Sequence, residues 1–228
     1  MMKRIRNAFV AAALAALAAV TFAVGPGAVV EAGVQSSQAK VAYAPIPAGD
    51  YKIDPAHSVI GFAVRHLEIN WVEGRFKDFE GTVHYDDKDV TKSSVEFTAK
   101  VESIDTGVAP RDKHLRTADF FEVEKYPTLT FKSTRVERKG KDAYVLHGDL
   151  TIKGVTKPVQ LSFHLAGAVK DPWGNTRFGV EAETKINRRD FGINYGNAFA
   201  GGGLDVGNEV RITLQLEAMR PEPKTAGK

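Results

Sequence analysis

The sequence predicts an all-β protein, an eight-stranded antiparallel barrel of up-and-down topology with one short helix. Three observations predict this fold. Apolar and polar residues alternate with a period of two through much of residues 51–218, which is typical of half-buried strands. Gly, Pro, Asp and Asn cluster between the alternating segments, as expected of turns. Helical patterns are scarce after residue 45, and a long sheet without covering helices removes its exposed edges by closing into a barrel.

The first 32 residues are interpreted as a signal peptide. Lys3, Arg4 and Arg6 precede an apolar run over residues 8–24, and no acidic residue occurs before Glu31. Cleavage is expected between residues 23 and 44. Residues 8–30 are long enough to span a bilayer, so a retained anchor is the alternative, but their Ala-rich composition and the Gly-Pro-Gly at residues 25–27 favour cleavage. Cleavage leaves a domain without stable membrane insertion.

Three further segments complete the domain organisation. Residues 33–48 are small and polar and are interpreted as a linker. Residues 49–219 form the barrel domain, which is large enough to bury a sizeable core. Residues 220–228 are predicted to be a disordered tail.

The strands follow one another along the domain. The first carries Ser58, Ile60, Phe62, Val64 and His66 on one face, and a bend near residues 77–78 precedes the second. The eight alternating segments cover residues 58–66, 79–83, 95–101, 129–131, 146–152, 159–165, 178–186 and 210–216. The helix is predicted within residues 112–122, because Pro127 stops a helix from continuing into the next strand.

Charge and motifs exclude several classes of function. Loss of residues 1–32 removes three cations and one anion, so the formal net charge falls from +3 to +1, which gives no electrostatic case for nucleic acid. The chain has no Cys, and its six His residues do not form a known metal-binding spacing. No Gly-x-Ser-x-Gly elbow occurs. We therefore predict neither a catalytic residue, nor a metal site, nor a cofactor.

The inward faces of the predicted strands mix Phe with small residues. Small inward residues leave volume unfilled, and a space lined by Phe and Leu favours an apolar guest. A solidly packed barrel shows the same mixture, so a filled core is the alternative. The small inward residues are Ser58, Gly81, Ala99, Gly148, Ala182 and Thr184.

Seven motifs occur in order along residues 50–219. They are Tyr-Lys-Ile-Asp-Pro-Ala-His-Ser (51–58), Phe-x-Val-x-His (62–66), Gly-x-Phe-x-x-Phe-x-Gly (74–81), Arg-Asp-Lys-His-Leu-Arg with Phe-Phe (111–121), Tyr-Pro-Thr-x-x-Phe (126–131), Gly-Asp-Leu-Thr-Ile-Lys-Gly-Val-Thr-Lys-Pro (148–158) and Arg-Asp-Phe-Gly (189–192). Together they resemble the YceI-like family of periplasmic polyisoprenoid-binding proteins. The resemblance implies a lipocalin-like barrel, a periplasmic location and a prenyl chain, such as that of a prenyl quinone, in a hydrophobic channel. It also implies that a homodimer can form.

The candidate ligand-binding residues are apolar side chains on the inward faces and two polar residues at a mouth. His66 and Arg189 are expected to meet a polar head group, unless they pair with Asp112 or Asp190 instead. The apolar candidates are Phe62, Val64, Phe76, Phe97, Phe131, Leu150, Phe163, Phe178 and Phe191. The ligand is predicted to be a polyisoprenoid or prenyl quinone, held for transport, storage or stress protection. An enzyme acting on such a lipid and a filled-core stress domain are the alternatives.

Overall fold

A computed structural model describes residues 43–221. These residues form one α-helix, α1 (Ala109–Leu115), and short 3-10 turns at Pro55–His57, Val90–Lys92, Val101–Ser103 and Arg188–Phe191. The strands are β1 (Gly49–Ile53), β2 (Val59–His66), β3 (Asn70–Phe76), β4 (Phe79–Tyr85), β5 (Ser94–Lys100), β6 (Ile104–Asp105), β7 (Thr128–Arg138), β8 (Tyr144–Ile152), β9 (Val155–Lys170), β10 (Thr176–Asn187) and β11 (Val206–Arg220).

Strand pairing closes the sheet into a barrel of eight antiparallel strands. The ring runs β1-β4-β5-β7-β8-β9-β10-β11, and β11 closes it on β1 with Ile53 opposite Ala218. Three of these eight barrel strands are each divided by a bend into two shorter strands. The pairs are β1 with β2, β3 with β4, and β5 with β6, and β2, β3 and β6 pair with one another or with β11 beyond the bends. The predicted eight-stranded up-and-down barrel is therefore confirmed, with its first three strands broken by bends.

Local hydrogen bonds produce these bends. The Asp54 carboxylate accepts from the Ala56 backbone N–H at 3.0 Å, and Pro55 begins the 3-10 turn that separates β1 from β2. At the bend predicted near residues 77–78, the Lys77 N–H donates to the backbone oxygen of Ser103 at 3.2 Å. Residues 49–53 and 70–76 were not among the predicted strands. Only Tyr51 and Ile53 in the first segment are buried, which is too short a run to show alternation.

The helix lies earlier in the chain than the prediction within residues 112–122. Helix α1 begins at Ala109, with Pro110 in its first turn, where a missing N–H costs little. After Leu115 the chain continues as turns, with the Glu122 N–H donating to Thr117 O at 2.8 Å and Glu122 itself at φ +52°. Glu122 in this left-handed conformation cannot extend a helix.

The ends of the domain differ from the prediction at one boundary. Ala44 pairs with Ala168, and Ile46 is buried, so the last residues of the predicted linker belong to the barrel. These residues cover a part of β9 that β8 leaves unpaired. The pairing with β8 stops at Phe163, opposite Tyr144, whereas β9 continues to Lys170. The predicted signal peptide and the tail after Pro221 lie outside the described residues. Between residues 43 and 221, no helix has the length and apolar character of a membrane span.

Candidate ligand cavity

A cavity of about 520 Å³ runs inside the barrel. All eight strands of the barrel, α1 and the loop before β11 contribute to its lining. Along β10 every second residue from Phe178 to Ile186 faces it, a distance of about 26 Å at ~3.3 Å per residue. The cavity therefore extends along most of the barrel.

The lining is apolar over nearly all of this length. Strand alternation brings Ile212, Leu214 and Leu216 of β11 to the inside, and Phe97 of β5 and Phe131 of β7 face the cavity from the other side of the ring. These side chains pack against the core and yet stay partly accessible, because they face empty volume instead of another layer of side chains. An apolar space of this kind disfavours water and suits an apolar guest.

Ten of the eleven residues predicted to contact a ligand line this cavity. Phe76, Leu150, Phe163, Phe178 and Phe191 are buried and form its walls. The others are more accessible, and they are Phe62, Val64, Phe97, Phe131 and, at the end of β2, the exposed His66. Contact with a ligand stays a prediction for all ten.

Arg189 is the exception. Its side chain lies on the outer surface and donates from Nε to the Asn208 side-chain oxygen at 2.8 Å. Its neighbour Arg188 lines the cavity instead and is only 4% exposed. The alternation of β10 contained this signal, because continuing the inward parity past Ile186 leads to residue 188 and not 189.

The Arg188 side chain holds the surrounding loop in place through hydrogen bonds. Its guanidinium donates to the backbone oxygens of Ile193, Val206 and Gly207, each at 2.8 Å. Burial lowers the pKa of Arg188, and the nearby positive charge of Arg189 acts in the same direction. The bonds fasten the chain between residues 188 and 207 across the end of the barrel.

The small inward residues do not all provide free volume. A Cβ on Gly148 would lie 2.3 Å from Cζ of Phe131, and one on Gly81 would lie 2.5 Å from Cδ1 of Ile53, so large neighbours fill both spaces. Ala99 is fully buried in the core. Ala182 and Thr184 do line the cavity. The expectation that small residues mark open volume is therefore wrong for Gly81, Ala99 and Gly148, since adjacent side chains pack into the gaps. It is also wrong for Ser58, whose Oγ accepts from the Glu217 N–H at 2.9 Å and which does not line the cavity.

Polar groups gather at the end of the cavity next to α1, which we call the mouth. Thr106 Oγ1 accepts from Arg111 Nε at 2.7 Å and donates to the Asp112 carboxylate at 2.5 Å. The same carboxylate accepts from the Thr106 N–H at 2.9 Å. Asp112 thus ties α1 to the end of β6 and is not paired with His66, the alternative raised by the sequence. Arg111 and Thr106 both line the mouth.

An aromatic cluster forms another side of the mouth. The His114 ring meets Phe120 and Tyr195 edge-on, with centroid distances of 5.1 and 4.9 Å, and its Nε2 is 2.7 Å from the Asp119 carboxylate. All three rings line the cavity. The sequence did not reveal Tyr195, because it lies in a long loop without periodicity.

Packed side chains fill much of the opposite end of the barrel. Tyr51, Phe178 and Ala218 are almost completely buried, and the Tyr51 and Phe178 rings meet edge-on at 4.8 Å. Ile46 adds to this cluster, and the Tyr51 hydroxyl donates to Pro47 O at 2.7 Å. Ser93 and the exposed Ser94 also line the cavity near this end, since Ser94 pairs with His84 next to β1. The mouth beside α1 carries the larger polar group, which includes Thr106, Arg111 and His114.

Three charged or titratable side chains on the outer wall are spaced closely enough to hold a metal ion. Asp54, His57 and Glu217 each offer an atom within 4.8 Å of the others. Arg177 already occupies this group, since its Nη1 is 2.7 Å from the Asp54 carboxylate and also contacts Glu217. The bond to Arg177, followed by that to His57, lowers the pKa of Asp54 to about 2. The group is an ion-pair network outside the cavity.

The family described as the YceI-like domain matches residues 51–218. This chain belongs to the YceI family. Among relatives, protein YceI of Escherichia coli O157:H7 is 49% identical over 148 residues, which cover 64% of this chain and 77% of that protein. A UPF0312 protein of Serratia proteamaculans is 48% identical over 178 residues, 76% of this chain and 88% of that protein.

Solved structures of the YceI fold agree with the barrel. BcnA of Burkholderia cenocepacia is 26% identical with a TM-score of 0.60, covering 72% of this chain and 98% of that one. The YceI protein of Campylobacter jejuni is 28% identical with a TM-score of 0.59, covering 69% and 90%. A polyisoprenoid-binding domain from Saccharophagus degradans covers 75% and 98% with a TM-score of 0.56, and at 18% identity it shows the fold alone.

Proposed function

We propose that this protein binds the tail of a polyisoprenoid or prenyl quinone inside its barrel and holds it for transport, storage or stress protection. One observation carries the proposal: a cavity of about 520 Å³, apolar over most of its length, lies inside the barrel and is lined by a stretch of β10 about 26 Å long. The volume lies within the range of ligand sites, and its elongated shape suits a chain more than a compact molecule.

Burial of apolar surface supplies the binding energy. A tail that buries ~400–600 Å² gains about 10–15 kcal/mol gross at ~25 cal/mol/Å², before the costs of association and ordering. Such a site needs few polar contacts. The polar residues of the mouth, His66 and Arg111 among them, suit a head group that stays near water while the tail lies inside.

The family supports a binding protein more than an enzyme. The match covers the whole barrel, and the likeness to a polyisoprenoid-binding domain indicates that the fold can enclose such a chain. We place the protein in the periplasm, because the cationic start and the apolar run of residues 8–24 have the character of an export signal. Self-association as a homodimer stays a prediction.

Filling the cavity tests the proposal directly. Ala182 lines the cavity in β10, so Ala182→Phe should lower the affinity for a prenyl quinone at least tenfold without unfolding the barrel. The measurement is a quinone titration followed by fluorescence, with circular dichroism to verify folding. Ala166→Phe is the matched control, because Ala166 is exposed on the outside of β9.

The outcome distinguishes the candidate functions. The control should bind as the wild type does, and organic extracts of protein purified from its native periplasm should contain a prenyl lipid by mass spectrometry. Wild-type protein that binds no prenyl chain, or Ala182→Phe with unchanged affinity, would contradict the proposal.

A further inference from the structure

The turn between β2 and β3 exposes an apolar side chain beside the mouth. Ile69 is 78% exposed at the tip of this turn. Its neighbours Leu67 and Glu68 have φ of +52° and +59°, a left-handed conformation that Gly or Asn adopts more readily. Turn preference does not explain Leu67 and Glu68 at this tip, and core packing does not explain the exposed Ile69. Strained backbone with an exposed apolar residue is a feature of functional surfaces.

Further apolar side chains surround the same end. Val108, just before α1, is 45% exposed, and Phe199, in the loop before β11, is 36% exposed. This loop touches the Ile69 turn, because the Leu67 N–H donates to Asp205 O at 3.0 Å. We call Ile69, Val108 and Phe199 the apolar rim. None of the three lines the cavity, so the rim faces outwards around its mouth.

Cations flank the rim on the outer wall. Trp71, two residues after Ile69, lies between two guanidinium groups, with the Arg65 and Arg211 carbons 4.4 and 3.8 Å from its ring centre. Tryptophan and arginine together suit the interface of a bilayer, where apolar chains lie next to anionic phosphates. The same hairpin carries Glu68 and Glu73, so insertion of apolar side chains has to contribute more than net charge.

We propose that the apolar rim docks the mouth onto a lipid bilayer, from which the ligand enters the barrel. The inference rests on the proposed function, because a prenyl tail has no favourable path through water and has to pass between a membrane and the cavity. It adds a lipid bilayer as the binding partner and specifies that the mouth of the barrel faces the bilayer. The far end of the barrel also exposes Trp173, which is 80% exposed, but packed side chains fill much of that end, whereas the polar residues suited to a head group gather at the mouth.

Two single-tryptophan proteins test the orientation. Trp71 and Trp173 are the two tryptophans of the chain. The combination Ile69→Trp, Trp71→Phe and Trp173→Phe reports from the rim, and Trp71→Phe alone reports from the far end. Vesicles of phosphatidylethanolamine and phosphatidylglycerol with brominated acyl chains should quench the rim reporter at least threefold more than the far-end reporter. Equal quenching, stronger quenching of the far end, or none would overturn the proposal.

Charge substitutions test which residues make the contact. Ile69→Asp combined with Phe199→Asp should reduce co-sedimentation with these vesicles at least fivefold, whereas Trp173→Asp, the matched control at the far end, should leave it unchanged. Loss in the control alone would overturn the proposal. A dimer in sedimentation velocity that Ile69→Asp dissociates, without vesicle binding, would show that the rim binds a second copy and would overturn the proposal.

A solution titration distinguishes the two proposals from each other. Prenyl quinone added from ethanol should bind the Ile69→Asp/Phe199→Asp protein within twofold of the wild type, while its transfer from vesicles slows at least fivefold. Normal binding in solution without any vesicle contact overturns the docking alone. Vesicle contact without quinone binding in solution overturns the proposed function.

Discussion

Single glycines decide how closely neighbouring strands of this barrel pack. Gly81 of β4 accommodates Ile53, whose Cδ1 would lie 2.5 Å from an added Cβ. Gly81→Ala should therefore lower the free energy of unfolding by about 1–3 kcal/mol, the usual cost of overpacking. Urea denaturation measures this. Gly140→Ala is the control, because its nearest neighbour would be an ordinary contact at 3.8 Å.

A second substitution tests the cause. Ile53→Val removes the methyl group that would collide, so Gly81→Ala should cost less in the Ile53→Val protein than in the wild type. The backbone oxygen of Glu96 at 3.0 Å keeps part of the penalty. Costs that simply add would show that the contact with Ile53 is not the reason.

At the scale of elements, Arg177 of β10 joins three parts of the chain on the outer wall. Its guanidinium contacts the Asp54 carboxylate in the bend after β1, the Asp171 carboxylate at 2.7 Å in the turn before β10, and Glu217 of β11. Its side chain is 13% exposed. Arg177→Met should lower the free energy of unfolding by about 3 kcal/mol, because it leaves these carboxylates without their cation.

An exposed pair provides the comparison. Lys132 and Glu96 pair across β7 and β5 with most of both side chains in solvent, so Lys132→Met should change stability much less than Arg177→Met does. Chemical denaturation of both variants measures the difference. Equal effects would show that burial does not strengthen the Arg177 network.

Acid should weaken the contribution that the Arg177 ion pairs make to the stability of the folded state. The pKa of Asp54, lowered to about 2 by Arg177 and then His57, lies below the ~3.9 of an unfolded chain. Its stabilising effect is therefore complete above about pH 4 and is lost as the pH falls towards 2. The stability difference between wild type and Arg177→Met should shrink over this range. A constant difference would show that the carboxylate pKa values do not depend on Arg177.

For the whole molecule, a bound tail should act as an added part of the core. Ligand at 100 times its dissociation constant stabilises the folded state by about 2.7 kcal/mol, which for a domain of this size raises Tm by about 5–10 °C. Differential scanning calorimetry with and without prenyl quinone measures the shift. Ala182→Phe, with its affinity lowered at least tenfold, should show about half of this shift or less at the same quinone concentration. An unchanged wild-type Tm under saturating quinone would contradict binding to the folded barrel.

The sequence by itself determined the barrel. Period-2 alternation and turn residues are local features of the chain, and the tendency of a long sheet to close its edges is general. Alternation also brought ten predicted residues to the cavity. The tertiary structure alone decided where volume remains. Phe131 fills the space above Gly148, while Ala182 borders an opening, and no local pattern distinguishes them. The mouth likewise depends on contacts between distant segments, such as Tyr195 on His114, because packing joins residues that the sequence separates.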